Sequence, residues 1–147
     1  MQAKIKFLSA MAFDTEIRGH HFTMDAKKEA GGNDQGPTPK EIYLSAIIGC
    51  TGMDVVSLLK KMRVEFTNVE LDCDGELTEQ GPPKTFKKVE ITYKVEGPSV
   101  DPEKVKKSVE MSMTKYCGVS AMVVKACPIF YKIMVNGAVT SEGQAHF

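Results

Sequence analysis

Four cysteines carry the most reactive side chains of this 147-residue sequence. A thiolate is a nucleophile, a metal ligand and an oxidisable group, so cysteines support redox chemistry, covalent catalysis or metal binding. The four are Cys50, Cys73, Cys117 and Cys127. They lie far apart, without a CxxC motif or a paired histidine spacing, so we predict no structural zinc site, no other metal and no cofactor.

Cys50 and Cys117 form the candidate reactive pair. Cys50 lies between small residues in the middle of a long apolar segment, where a cysteine often only fills space. If Cys50 is reactive instead, a neighbouring cation or hydrogen-bond donor must activate it. The candidate cations are Arg18, His20, His21, Lys40 and Arg63. Cys117 precedes a short predicted helix, whose unpaired amides would stabilise its thiolate.

A long helix must position Cys50. The sequence from 38 to 63 starts with a capping-box pattern of Thr38 and Glu41, and Pro39 occupies the first helical position. The segment ends in basic residues, which suit the carboxyl end of a helix. Since it is apolar almost all round, we expect the helix to be buried on several sides. One chain can cover only part of it, so we predict an obligate homodimer.

The remaining periodicities predict a single α+β domain over residues 1–147, with mainly antiparallel strands. Strands are predicted over residues 2–13, 21–26, 64–76, 85–96 and 129–135. Asp101 and Pro102 begin an amphipathic helix, and a short helix follows at 119–125. The glycine-rich segment 27–37 is predicted as a loop and the polar segment 136–147 as a mobile tail.

Composition excludes several classes of function. The net formal charge is zero at pH 7 and no basic run occurs, so nucleic acid is not an expected partner. Asp54 interrupts the apolar helix, so we do not expect it to span a membrane. No apolar leader is evident at the amino terminus, so we expect a cytoplasmic protein, in which a disulfide is transient and catalytic.

Two stretches of the sequence together resemble the OsmC/Ohr family. They are GGNDQGPTPKEIYLSAIIGCTGMDVVSLLKKMR and, later, KYCGVSAMVVKA. The resemblance implies an intertwined homodimer in which two long central helices are wrapped by antiparallel sheets. It also implies a thiol peroxidase site at the dimer interface, with Cys50 as the peroxidatic cysteine and Cys117 as the resolving cysteine. The substrate would be an organic hydroperoxide and the reductant a dithiol of the lipoyl or thioredoxin type.

The resemblance also suggests how Cys50 would be activated. In the family's peroxidases a glutamate ten residues before the reactive cysteine orients an arginine from an early loop. Lys40 occupies that glutamate position here, and Glu41 follows it. Arg18 is the arginine upstream of the helix. We therefore take Glu41 and Arg18 as further candidate site residues.

Alternatives to the peroxidase remain open at this point. Because Lys40 replaces the family glutamate, the chain looks closer to the broader OsmC-like branch. A non-enzymatic dimer that binds a small apolar ligand is the main alternative. A thiol acyl carrier or hydrolase is a third, but the sequence shows no histidine base and orienting group for Cys50.

Overall fold

The computed structural model describes all 147 residues, and its contacts divide the chain into two compact units, residues 1–43 and 44–147. The first unit contains a three-stranded antiparallel sheet of β1 (Lys4–Ser9), β2 (Ala12–Ile17) and β3 (His20–Met24). The second contains a four-stranded sheet of β4 (Asn68–Leu77), β5 (Phe86–Glu96), β6 (Ile129–Val135) and β7 (Ala138–Gln144). The fold is α+β with two sheets and a long helix, as predicted.

The amino-terminal sheet contains one more turn than the sequence predicts. The strand expected over residues 2–13 is interrupted because the chain reverses at Ala10, whose φ is +48°. Alanine is not a turn residue and the apolar alternation continues on both sides, so the prediction was wrong here. The next reversal is the expected one at Gly19, where Arg18 and Gly19 both have positive φ, as a two-residue type I′ hairpin requires.

The predicted loop over residues 27–37 connects β3 to the long helix. It includes a short 3₁₀ turn, Lys28–Ala30. The buried carboxylate of Asp25 accepts hydrogen bonds from the backbone amides of Ala26, Asn33 and Gln35 at 2.8 to 3.1 Å. A single side chain thereby satisfies three loop amides that have no partner in a sheet or helix.

The carboxyl-terminal sheet mixes two strand directions. β4 and β5 form the predicted antiparallel hairpin, although β4 begins at Asn68 and not at Val64. β6 runs parallel to β5, because the helices between them carry the chain back to the end of the sheet at which β5 begins. β7 then pairs antiparallel with β6.

The prediction of a mobile tail over residues 136–147 was wrong for most of that segment, because it forms β7. The reversal is at Asn136 and Gly137, with φ of +48° and +81°. The Asn136 side chain also accepts from the Gly97 amide at 3.0 Å and donates to the Gly97 carbonyl at 3.1 Å. Asn-Gly is the strongest short hairpin signal, but the strand that follows is polar and lacks the apolar alternation that would have predicted a hairpin here.

The long helix, α1 (Pro39–Lys61), buries one stripe of side chains in the single chain. The stripe consists of Ile47, Thr51, Val55 and Leu59. Other apolar residues of α1 stay accessible, and Met53 is 76% exposed. One chain therefore covers only part of α1, as predicted. By length and composition alone α1 is long enough to cross a membrane, a test that core helices of soluble proteins also pass.

Two shorter helices complete the second unit. α2 (Pro102–Met111) starts at the predicted cap, where the Asp101 carboxylate accepts from the Glu103 amide at 2.9 Å. A π-helix, Ser112–Tyr116, follows without a break. α3 (Gly118–Val123) then precedes β6. The apolar residues of these helices and of the sheet form one core.

Candidate functional site

Two side chains of the candidate site lie on one face of α1. Cys50 and Asp54 are separated by one helical turn, so they project from the same side of the helix. Both are half-buried, whereas Thr51 is fully buried. The helical repeat alone therefore places a carboxylate beside the thiol.

Cys117 reaches the same place from a different helical segment. The Sγ atoms of Cys50 and Cys117 and a carboxylate oxygen of Asp54 all lie within 4.8 Å of one another. The predicted approach of the two thiols is confirmed, although 67 positions separate them in the sequence. Asp54 also belongs to this cluster and was not predicted from the sequence. The spacing of Cys50 and Asp54 was the available signal.

The π-helix determines where Cys117 points. The amide of Cys117 donates to the carbonyl of Ser112 at 3.0 Å, one residue farther back than in an α-helix. Cys117 then leaves the helix with φ −72° and ψ 96° and serves as the N-cap of α3. The interruption of the helix falls at Cys117, and Gly118 is already the first residue of α3. Single π turns occur often at functional sites, because the extra residue redirects the side chains that follow.

Burial decides the protonation of Cys117. The amide of Ser120 donates to its Sγ at 3.3 Å, which is the predicted contact at the start of a short helix. Burial nevertheless raises the pKa of Cys117 to about 11, and the adjacent Cys50 sulfur adds to the rise. The side chain is 0% exposed. The prediction that the helix start makes Cys117 a ready thiolate was therefore wrong, and Cys117 is a neutral thiol at physiological pH.

A chain of buried hydroxyl groups holds Asp54 in place. The Ser112 hydroxyl donates to Oδ2 of Asp54 at 3.0 Å, and the Thr51 hydroxyl lies 2.8 Å from the Ser112 Oγ. The Tyr93 hydroxyl lies 2.7 Å from the Thr51 Oγ1. A carboxylate only accepts, so the donors run from Tyr93 through Thr51 and Ser112 to Asp54. Burial raises the pKa of Tyr93, which keeps its hydroxyl a donor.

Glu41 is occupied at the start of α1. Its carboxylate accepts from the amide and the hydroxyl of Thr38 at 2.7 and 2.9 Å. The Lys27 ammonium lies 3.7 Å from the other carboxylate oxygen. The Thr38 amide, the Thr38 hydroxyl and Lys27 together lower the pKa of Glu41. The predicted capping role is confirmed, and a role in activating Cys50 stays a prediction.

The other predicted candidates lie in turns or at element ends. Arg18 is exposed in the β2–β3 turn of the first unit. His20 and His21 begin β3, and the Nδ1 atom of His21 lies 3.0 Å from the Asp14 carboxylate. Arg63 is exposed just after α1. The activating role of a cation near Cys50 stays a prediction for each of these residues.

The two remaining cysteines lie outside the cluster of Cys50, Asp54 and Cys117. Cys73 is half-buried on β4, where burial raises its pKa to about 11. Cys127 is buried between α3 and β6, and burial raises its pKa as well. Both contact the hydrophobic core. A packing role is what the sequence predicts for them, and it makes them useful controls.

The family follows from a direct comparison with known proteins. A family model described as OsmC-like protein matches residues 31–132, a span that includes α1, Cys50, Asp54 and Cys117. The chain belongs to the OsmC-like family. The resemblance inferred from the two sequence motifs is thereby confirmed.

Relatives of this OsmC-like protein are found among both sequences and structures. It is 32% identical to protein YhfA of Escherichia coli over 139 residues, which cover 94% of this chain and 100% of YhfA. A hypothetical protein from Aquifex aeolicus has a TM-score of 0.81 and 27% identity, covering 92% of this chain and 95% of that one. The organic hydroperoxide resistance protein OhrB of Bacillus subtilis has a TM-score of 0.60 and 17% identity, covering 92% and 96% of the two chains. The last likeness shows a shared fold.

Proposed function

We propose that this OsmC-like protein reduces organic hydroperoxides through a cycle of Cys50 and Cys117. The observation that carries the proposal is that two thiols from separate helical segments lie within 4.8 Å of each other. Solved structures of similar fold include proteins named for organic hydroperoxide resistance, such as OhrB. Since that likeness is one of fold, the chemistry is argued from the site.

Cys50 is the thiol that meets the peroxide. It is partly accessible, whereas Cys117 is fully buried and holds its proton up to a pKa of about 11. The Cys50 thiolate attacks one oxygen of the O–O bond, which gives a sulfenic acid and releases the alcohol. The Cys117 thiol then displaces water from that sulfur, which gives a disulfide. A dithiol of the lipoyl or thioredoxin type restores both thiols by exchange.

Asp54 handles the protons of this cycle. Its carboxylate lies within 4.8 Å of both sulfurs, and Ser112 holds one of its oxygens. A carboxylate in that position accepts the proton of Cys50 before attack and that of Cys117 as the disulfide forms. We assign proton transfer to Asp54 and not to Glu41, because Thr38 and Lys27 already engage the Glu41 carboxylate. Arg18 and Glu41 stay as proposed contributors to activation.

The site is proposed to work in a cytoplasmic homodimer. The exposed apolar surface of α1, including Tyr43 and Met53, supports a second copy as the cover. Burying that surface would also exclude water around Cys50 and favour apolar hydroperoxides over hydrogen peroxide.

Mass spectrometry after an equimolar dose of cumene hydroperoxide tests the proposal. The expected product is one disulfide that joins the Cys50 and Cys117 peptides. Cys117→Ser removes the resolving thiol, so Cys50 should proceed to sulfinic acid under the same dose. Cys73→Ser and Cys127→Ser are matched controls and should still form the disulfide. Unmodified thiols in the unaltered protein would refute the peroxidase and favour a non-enzymatic binder of an apolar ligand.

A further inference from the structure

The three side chains at the site are also a set of metal ligands. Two thiols and one carboxylate converge within 4.8 Å, and each offers one donor atom. Thiolate and carboxylate donors together suit Zn²⁺, which is a borderline-soft cation. No comparable set was predicted from the sequence, because spacing rules search for ligands that are close in the chain.

The donor atoms are almost at the separation that zinc requires. With Zn–S bonds of about 2.3 Å and Zn–O bonds of about 2.0 Å, the donors of a tetrahedral site lie roughly 3.5 to 3.8 Å apart. The observed limit of 4.8 Å leaves a contraction of at most about 1.0 Å for the sulfur pair and about 1.3 Å for each sulfur–oxygen pair. Small changes of side-chain torsion at Cys50 and Asp54, which are both only partly buried, supply that movement without a shift of α1.

The carboxylate is oriented as a metal ligand would be. Ser112 donates to Oδ2 of Asp54 and is itself held by Thr51 and Tyr93. Such outer hydrogen bonds fix the direction of a ligand and raise the affinity of a metal site. A carboxylate oxygen of Asp54 lies within 4.8 Å of both sulfurs and completes the set.

We propose that the reduced protein binds one Zn²⁺ per chain through Cys50, Asp54 and Cys117, with a fourth position open to water or a small ligand. Binding goes beyond the proposed peroxidase function and does not rest on it. It does have a consequence for that function, because one pair of thiols cannot both hold a metal and form a disulfide. Bound zinc would therefore block reaction of Cys50 with peroxide until the metal is removed.

Metal binding is measured directly on the fully reduced protein. Zinc affinity and stoichiometry come from competition with a chromophoric chelator, and Co²⁺ serves as a spectroscopic probe. The expected results are one metal per chain, thiolate-to-cobalt charge-transfer absorption and the intense visible bands of four-coordinate cobalt. Weak bands of six-coordinate cobalt without charge transfer would overturn the proposal. This outcome is measured on the unaltered protein and so does not depend on whether a variant folds.

Variants identify the ligands. Cys50→Ser and Cys117→Ser should each reduce the charge-transfer band. These two variants and Asp54→Asn should each weaken zinc binding at least tenfold, and Ser112→Ala should weaken it roughly tenfold. Cys73→Ser and Cys127→Ser should bind as the unaltered chain does. His21→Ala tests the exposed pair of His21 and Asp14, which lie 3.0 Å apart. Loss of binding in His21→Ala with retention in Asp54→Asn would assign the metal to that surface pair and refute the site.

Discussion

Asp54 changes what the two neighbouring thiols can do. Without it, the buried Cys117 thiol would have no carboxylate beside it to take up its proton. With it, a partly accessible thiol, a buried thiol and a carboxylate lie within 4.8 Å of one another. The buried hydroxyls behind Asp54 leave its position fixed, because each of them is engaged by the next.

Replacing Thr51 by valine should break the hydroxyl chain in its middle. Tyr93 and Ser112 would each lose a buried partner, so we expect the free energy of unfolding to fall by about 1 to 3 kcal/mol. Urea denaturation measures this change. Thr114→Val is a matched control, because the Thr114 hydroxyl bonds only its own helix at the Glu110 carbonyl. Equal losses in the two variants would contradict a special role for the chain.

The raised pKa of Cys117 predicts how stability depends on pH. The pKa of this thiol is about 9 in the unfolded chain and about 11 in the folded chain. The folded state therefore binds more protons than the unfolded state between pH 9 and pH 11. The corresponding stability is complete below pH 9 and is lost as the pH rises through 11. Urea denaturation across this range should show a steeper fall for the unaltered chain than for Cys117→Ser. Parallel curves would show that burial does not govern this thiol.

At the scale of elements, the hairpin turn between β6 and β7 is held by one side chain. Asn136→Ala should lower the free energy of unfolding by about 2 kcal/mol, because it removes two hydrogen bonds to Gly97 and places alanine at positive φ. Thermal or urea unfolding measures the loss. Asn136→Asp keeps the acceptor and tolerates the conformation, so a smaller loss is expected. If both variants are as stable as the unaltered chain, β7 is not anchored in this way.

The elements that were predictable are those with a local cause. α1 was predictable from Thr38, Pro39 and Glu41, and α2 from Asp101, because capping is decided within a few residues. The turn at Ala10 was not predictable, because no typical turn residue occurs there. The antiparallel pairing of β1 with β2 on either side of the turn stabilises it. The parallel pairing of β5 with β6 likewise depends on where two helices return the chain.

The site was only half predictable for a similar reason. The family resemblance identified Cys50 and Cys117 as candidate site residues, and in the structure their sulfur atoms lie within 4.8 Å of each other. Ser112, Thr51 and Tyr93 carry no signal of their own, because buried hydroxyls are common and their partners lie far away in the sequence. The π-helix could not be predicted either, because one extra residue in a single turn does not change the sequence pattern of a helix recognisably.

At the scale of the whole molecule, the exposed apolar residues of α1 predict association of two chains. Met53, at 76% exposure, is the most accessible large apolar side chain of the helix. We expect sedimentation to give a species of twice 16.2 kDa that persists on dilution. Met53→Glu should weaken association, because it places a charge on the surface that the second copy would bury. Lys61→Glu, at the exposed end of α1, is a control for the charge itself. A compact, folded monomer in the unaltered chain would contradict the prediction.

The five-residue π-helix before Cys117 also decides whether the two thiols meet. In this turn the amide of Cys117 bonds the Ser112 carbonyl, so residue 117 lies on the same side of the helix axis as Ser112, whose hydroxyl holds Asp54. Ordinary α-helical winding of the same sequence would bring Tyr116 to that side instead and would displace the thiol by one residue, about 100° around the axis. The pairing of the thiols therefore depends on the winding of this turn as well as on the presence of the cysteines.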